Sequence, residues 1–380
     1  MEIILEKENF LNGIKIVEKI TAQKVVQPVL SNILIETVSN DRVKFSATDL
    51  NQSISFKVAA EVKKEGKITL NAKKLGEIIL RLEEKPVKLS VDTEMNQAKI
   101  TCANSNFELI AISANDFPNV FPEEEAQNSE NKEFEINKNI FNKIIKQTIY
   151  SAAQNELASV LGGLCVTIED NILEVAATDG NRLTRSRKEI NSKGQNGSFI
   201  VPVKTLNELT RISSIVEDET LKLVIEKNKI IFLFKDLKFS SKLIEGNYPK
   251  YQQLIPTNNE KKIVIDREEL VQSIERVSVM VNERTNIIKF NFEKGSLEVC
   301  TDTPESGSGS DQLEIDYDFE ELIIAFNFKY VLDALKSMES KKVKFEIATS
   351  LSASIIKESL EDEQKENNYV CLIMPVQVRK

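Results

Sequence analysis

No histidine occurs anywhere in the 380 residues, which removes the commonest general base and the commonest metal ligand together. Cysteine adds little chemistry. Cys102, Cys165, Cys300 and Cys371 stand far apart with no C-x-x-C pair, a pattern of buried reduced thiols rather than of a disulfide framework or a zinc site. No stretch approaches the roughly 18 unbroken apolar residues of a membrane helix. The opening Met1-Glu2-Ile3-Ile4-Leu5-Glu6-Lys7 has charges inside its first apolar run and no small-residue cleavage site, so it does not read as a signal peptide. Phosphate cradles are missing too: Gly307-Ser308-Gly309-Ser310 is followed by neither a P-loop lysine nor a dinucleotide pattern, and reads as a flexible loop. The expectation is a soluble, cytoplasmic protein that needs no metal or cofactor.

What is present is ordinary globular material, 41% hydrophobic and 29% charged, too apolar to stay disordered. At 380 residues the chain exceeds one ordinary core, and two or three domains are expected. Fifty basic against 59 acidic residues leave a net charge of −9, which argues at first against a nucleic-acid partner, whose affinity comes mainly from neutralised phosphates. Net charge is not its distribution, however, and an acidic outside can coexist with a basic inner face.

The chain repeats itself. A strand, a polar cap and an amphipathic helix begin at Leu5, Ile136 and Ile265. In each, Glu6, Asn137 or Asp266 ends an alternating run and is placed to cap the helix that follows. A second landmark recurs in the same order: Ala47-Thr48-Asp49, Ala177-Thr178-Asp179 and Cys300-Thr301-Asp302, each expected to end a strand. A third is a strand passing into a helix, around Thr69 to Leu82, Ile200 to Ile212 and Ile324 to Met338, with Lys73, Lys204 and Lys329 in matching places. A fourth is an aromatic–proline close, Phe117-Pro118-Asn119-Val120 and Tyr248-Pro249-Lys250-Tyr251. Four ordered landmarks at one period make a triplication. Polar linkers fall at Glu123–Glu130 and Pro256–Glu260, giving domains at 1–126, 132–256 and 261–380. Two helical patterns among many short alternating runs in each predict an α+β fold, with two helices packed on antiparallel sheets per domain.

Asp49, Asp179 and Asp302 invite a hydrolase or nuclease reading. A Thr-Asp at a strand end is, however, routinely an Asx-type turn. A position copied with the fold is more simply demanded by the fold, whereas an active site is assembled once from unlike parts. Basic residues of the helical segments are better candidates for function: Lys15, Lys19, Lys73, Lys74, Arg81, Lys143, Lys146, Lys204 and Arg211. Singly, each reads as a solvated charge. Facing a common space, they would meet phosphates without reading bases.

Pro28-Val29-Leu30-Ser31-Asn32-Ile33, Ala177-Thr178-Asp179-Gly180-Asn181-Arg182-Leu183, Leu243-Ile244-Glu245-Gly246-Asn247-Tyr248-Pro249 and the terminal Met374-Pro375 closely resemble segments of the bacterial sliding clamps, and the resemblance runs end to end. It implies a non-catalytic homodimer, joined head to tail into a closed ring of six domains with helices lining the hole. Such a ring would hold the replicative polymerase on double-stranded DNA, with polymerase and exonuclease activity left to partner subunits. By position, the dimer interface would set Phe107 and Leu109 against Val279 and Met280; from sequence alone, internal core is an equal reading of these four. Lys24 matches a position where clamps touch DNA. The polymerase subunit, the clamp loader and other clamp-binding proteins would insert a short peptide into a pocket. That pocket would be made by Leu161, Gly163, Thr178, Gly180, Asn181, Arg182, Leu183, Pro249, Leu254, Tyr330, Leu372, Met374, Pro375 and Val376. The sequence departs from the family at Asn181, where many relatives carry histidine, at Gln253 and Ala158, where arginine occurs, and in the added Arg379-Lys380. A repeat-built protein-interaction scaffold that does not encircle DNA remains the rival reading, and would scatter the basic residues over its outside.

Overall fold

The computed structural model of the chain describes residues 1–22, 27–92, 95–121, 131–153, 159–282, 284–303 and 307–377. Lys24, Ala158, the acidic linker Glu123–Glu130 and the terminal Arg379-Lys380 lie outside them.

Six helices of ten residues or more are described, two in each third of the chain: α1 (Lys7–Val17), α2 (Ala72–Arg81), α3 (Lys138–Thr148), α4 (Val203–Ser213), α5 (Arg267–Ser278) and α6 (Phe328–Ser337). They start where the repeat places them, and side-chain caps explain three of the six starts. Asp266 accepts from the amides of Glu268 and Glu269, Asn71 from Lys74, and Asn327 from Lys329. Glu6 makes no side-chain cap bond; its extra methylene is a poor substitute for Asp or Asn at that place.

The basic residue that opens the first helix of each repeat has a structural task. Lys7 donates to the carbonyl of Leu82 (2.6 Å), Lys138 to that of Val216 (2.5 Å) and Arg267 to that of Ser340 (2.8 Å). Each cation thus sits at the first position of its helix and meets a carbonyl just beyond the end of the second helix, where cations are favoured.

The sheets are antiparallel and divide between two compact units that cut across the repeats. The amino-terminal unit comprises residues 1–138 and 207–243, the carboxy-terminal unit 139–206 and 244–380. In the amino-terminal unit, four strands of the first repeat join four of the middle one into an eight-stranded sheet. Its seam is the pairing of Gln52–Ala59 with Leu237–Lys242, in which Gln52 faces Ser241 and Ile54 faces Phe239. The carboxy-terminal unit has the same construction: Arg182–Glu189 pairs with Tyr369–Ile373, Arg182 facing Ile373 and Thr184 facing Cys371. A five-stranded sheet completes the first unit and a four-stranded sheet the second. Ser105–Ile110 is one of the two outermost strands of the five-stranded sheet, and Gly307–Glu314 one of the two of the four-stranded sheet.

Gly307–Ser310, expected as a loop, begins that last strand, pairing Gly309 with Thr301 and Ser308 with Asp302. A Cβ on Gly309 would lie 3.1 Å from Met280 Cγ, so the glycine serves close packing of Met280 over the strand. Thr301-Asp302 lies at the end of its strand, Ser296–Thr303, but is paired there with Gly309 and Ser308. The linker Pro256–Glu260 is also better tied than its composition suggests: buried Asn259 donates to the carbonyls of Glu346 and Ala353.

Aromatic side chains fill both cores. Phe10 on α1 meets Phe45 with centroids 5.7 Å apart, and Phe290 meets Phe326 edge to face at 5.5 Å; each buried ring contributes about 2–3 kcal/mol. Among the four cysteines, all free, three are buried and Cys300 is half-buried. No described helix is long and apolar enough to cross a membrane.

Candidate functional site

Three sets of side chains were singled out by the sequence, and each is placed by the fold. The first is the pocket set, all of it in the carboxy-terminal unit. Its centre is the turn Thr178–Arg182. Thr178 Oγ1 donates to the Arg182 carbonyl (2.6 Å) and accepts from the Gly180 amide (3.1 Å). Asp179 Oδ1 accepts from the amides of Asn181 and Arg182. Asp179 is therefore an Asx-type turn residue, and Gly180 supplies the left-handed position at φ 89°. The outcome is an exposed Asn181 above a buried Arg182.

Arg182 is 7% exposed and its charge is fully answered. Nε donates to Asp179 (3.0 Å), Nη1 to Asp333 on α6 (2.7 Å) and Nη2 to the Tyr150 carbonyl. The guanidinium also lies 4.3 Å from the centroid of Tyr330, a cation–π contact. Burial, with Asp179 nearby, pushes the Tyr330 phenol up from its usual range. Met374 donates its amide to the Asn181 carbonyl (2.9 Å) and Val376 to that of Ala325 (2.8 Å), which brings the tail to the same turn. Below it, Leu183 and Leu372 pack with Cys165, Ala176 and Tyr251. Tyr248 Oη accepts from the Thr178 amide, carrying Pro249 and the exposed Leu254 into the neighbourhood. Buried Gly163 packs on Ile200 and Ile244, and Leu161 accepts at its carbonyl from Ala153. Exposed Leu254 and Met374 over an apolar floor, beside a fixed cation, form a surface suited to apolar anchors of an extended peptide.

Sequence reading overlooked Tyr150, Asp333 and Tyr251. The phenol of Tyr251 donates to Glu174, and burial followed by that carboxylate pushes it well up. Only the recurrence of the aromatic–proline close pointed toward Tyr251.

The second set is basic. Lys15 and Lys19 near the end of α1, Lys73 and Lys74 at the start of α2 and Arg81 at its end are exposed. A groove of about 630 Å³ between the two helices is lined by Lys15, Lys19 and Lys73 together with Glu18 and Glu77. Lys146 and Lys204 are exposed on α3 and α4. Two members are otherwise engaged. Lys143 pairs with Glu339, holding that carboxyl below its usual range, while Arg211 pairs with Glu208 and donates to the carbonyls of Lys15 and Ile16. Arg211 thus fastens α4 to the end of α1, a task that would be kept with or without a nucleic acid.

The third set lies at free strand edges. Phe107 and Leu109 are on an outermost strand of the five-stranded sheet, with Phe107 40% exposed and neighbouring Ile110 87% exposed. Val279 is 80% exposed, and Met280 lies against Gly309 of an outermost strand of the four-stranded sheet. None of the four is internal core, so that alternative is set aside. Asp49 repeats the turn role of Asp179, accepting from the amides of Asn51 and Gln52. Among the described residues, no three acids or thiols gather at metal-binding spacing.

Family models cover nearly the whole chain in order: the DNA polymerase III beta subunit amino-terminal domain matches residues 1–121, its central domain 135–250 and its carboxy-terminal domain 252–377. The chain belongs to the bacterial beta sliding clamp family. The beta sliding clamp of Haemophilus influenzae is 28% identical over the full length of both chains, and that of Chlamydia trachomatis 29% identical over 94% of this chain and 84% of its own. Among solved structures, the sliding clamp of Pseudomonas aeruginosa bound to griselimycin superposes with a TM-score of 0.91 at 26% identity, covering all of both chains. A DNA polymerase III beta subunit from Eubacterium rectale gives 0.90 at 28% identity over 99% of each. The α+β architecture and its three clamp domains are therefore those of the family.

Proposed function

We infer that this protein is a DNA sliding clamp, the processivity factor of a bacterial replicative polymerase. The observation that carries the reading is a count of seams. The triplicated unit offers one joining strand on each side. Two of the three possible seams are made inside the chain, at Gln52–Ala59 with Leu237–Lys242 and at Arg182–Glu189 with Tyr369–Ile373. The remaining pair, Ser105–Ile110 and Gly307–Glu314, has no strand on its outer side among the described residues, and proteins do not leave such edges uncovered without cause. A head-to-tail contact of this kind builds a fibre unless its rotation closes. With two chains and three repeats each it closes as a six-domain ring, with repeats at 1–126, 132–256 and 261–380. Phe107 and Leu109 of one protomer would then bear on Val279 and Met280 of its partner.

Function follows from topology. A duplex passing through a closed ring cannot leave sideways, so weak contacts suffice and tight ones would hinder sliding. Exposed Lys15, Lys19, Lys73, Lys74, Arg81, Lys146 and Lys204, with Lys24 and Lys143, would supply mobile, sequence-independent phosphate contacts. The surface around Thr178–Arg182 and Met374 would receive peptides of the polymerase subunit, the clamp loader and other clamp-binding proteins in turn, the methionine adapting to each. The chain itself would catalyse nothing, would act in the cytoplasm and would need no cofactor.

The test is topological. The protein is loaded by a clamp loader onto nicked circular plasmid, the complex is isolated, and the plasmid is then cut. Release on linearisation is the expected result. Equal retention on both forms would replace the ring with ordinary groove binding, and failure to load with a validated loader would favour the scaffold reading.

A further inference from the structure

The turn at Asp49 reproduces the turn at Asp179 bond for bond. Thr48 Oγ1 donates to the Gln52 carbonyl (2.9 Å) and accepts from the Leu50 amide (3.0 Å), while Asp49 Oδ1 holds the amides of Asn51 and Gln52. Gln52 then faces Ser241 across its seam as Arg182 faces Ile373 across the other. Beside this turn, wholly within the amino-terminal unit, lies a cavity of about 230 Å³, lined by Thr48, Asn51, Asn228, Lys229, Ser241 and Lys242 among others, with Pro118 and Val120 in the places of Pro249 and Tyr251. The frame is that of the carboxy-terminal site, but the chemistry is inverted. By register, Ser53 replaces Leu183, Ser240 replaces Leu372 and Lys242 replaces Met374. The cavity lining includes two lysines and no acidic or aromatic side chain. Lys242 Nζ lies 3.3 Å from Asn51 Oδ1, and Lys238 Nζ stands 4.4 Å from the ring centroid of Phe121 nearby.

We propose that this cavity is a second docking groove, which takes an acidic extended peptide through Lys229 and Lys242. It goes beyond the clamp reading and needs neither a closed ring nor an occupied carboxy-terminal site. Charge complementarity selects the occupant: a carboxylate entering the groove meets the ammonium groups of Lys229 and Lys242 with no acidic side chain in the lining to repel it, whereas an apolar anchor gains nothing from two cations and a polar rim. A peptide fits better than a nucleic acid because the lining offers no aromatic platform for a base. Since the chain as a whole carries −9, attraction must be local, within a screening length of about 8–10 Å.

The experiment uses the full-length protein and a fluorescein-labelled Glu/Asp-rich peptide of about ten residues, a length that spans one extended groove, read by anisotropy in about 50 mM salt, where screening is modest. Saturable binding is expected. It should weaken at least ~10-fold in the Lys229→Glu/Lys242→Glu double variant, a typical loss when charge at a contact is reversed. It should survive in the Lys229→Arg/Lys242→Arg pair, which keeps the charge if the reversal harms folding. An unlabelled peptide with leucine and phenylalanine anchors should leave it in place. Absence of saturation, equal binding by the charge-reversed variant, displacement by the apolar peptide, or displacement by an oligothymidylate strand would each overturn the proposal, the last in favour of a nucleic-acid patch.

Discussion

The two Thr-Asp turns share every backbone bond, yet one is locked from behind by an arginine and the other is not. At Arg182 the guanidinium draws in Asp179, Asp333 and Tyr150; at the equivalent place stands Gln52, whose neighbourhood holds no such charge network among the bonds described. Duplication therefore copies the frame, and substitution at a few rim and floor positions decides what the frame holds. The contrast can be broken from either side.

The largest effect is expected at the lock itself. Arg182→Met leaves Asp179 and Asp333 without their cation, and Asp179 has a side chain only 15% exposed. Stranding a largely buried carboxylate costs several kcal/mol, reduced here because Asp333 is partly in water, so a local loss of about 2–4 kcal/mol is expected. Gln52→Met strands no charge and should cost less than about 1 kcal/mol. Hydrogen exchange of the turn amides reads each site separately, which matters in a chain with several cores where one unfolding midpoint is not well defined. Equal protection losses at the two turns would remove the lock from the account. Binding of an apolar client peptide should fall with Arg182→Met and stay unchanged with Gln52→Met.

Next in size are the aspartates. Asp49→Ala removes an acceptor from two amides and should cost about 1–1.5 kcal/mol locally. Asp179→Ala removes the same two bonds plus one partner of Arg182, and should cost about 2 kcal/mol. If the two losses were equal, Arg182 would be held by Asp333 and the Tyr150 carbonyl alone.

Much of this was legible in the sequence because it is local. Helix starts, the Asx turns and the period itself follow from short-range propensity, and all three were found by reading along the chain. What was not legible depends on partners distant in sequence. Nothing in Lys7, Lys138, Arg267 or Arg211 distinguishes them from the solvated lysines; only the approach of a carbonyl from another helix makes them structural. Gly307–Ser310 has a linker's composition and a strand's conformation, because Thr301 and Met280 decide the matter. Tyr150 and Asp333 reach Arg182 across 32 and 151 residues, beyond any window of periodicity. The repeats themselves were found, but not that continuous sheets would bind the middle repeat half to each neighbour.

A smaller contrast is set by pH. Across its seam Thr184 faces Cys371, while the matching Ile54 faces Phe239. Burial pushes the Cys371 thiol up, and the Tyr150 phenol beside it well up. A neutral acid whose folded pKa is raised contributes its full stability below the unfolded value, about 8.5 for a thiol, and loses it as pH rises through the folded one. The slope is at most about 1.4 kcal/mol per pH unit per proton. Above pH ~9, exchange protection should therefore fall at the Cys371 seam before it falls at the Phe239 seam. Cys371→Val should flatten the part of that dependence owed to the thiol.

The smallest expected effect has opposite signs at the two turns. Gly180 holds φ 89° and Leu50 holds φ 71° at the same place in the frame. A residue with a Cβ in this left-handed region carries a strain of about 1 kcal/mol. Gly180→Ala has open space around its new Cβ, so the cost should be that backbone strain alone, near 1 kcal/mol. Leu50→Gly should relieve the same strain, but glycine's greater freedom in the unfolded chain offsets part of the gain, leaving about 0.5 kcal/mol or less. Because Leu50 is half exposed at 51%, little buried area is lost with its side chain. If Leu50→Gly instead destabilised its turn by as much as Gly180→Ala does, the leucine would be held by packing rather than tolerated by the frame, and the likeness of the two turns would stop at their hydrogen bonds.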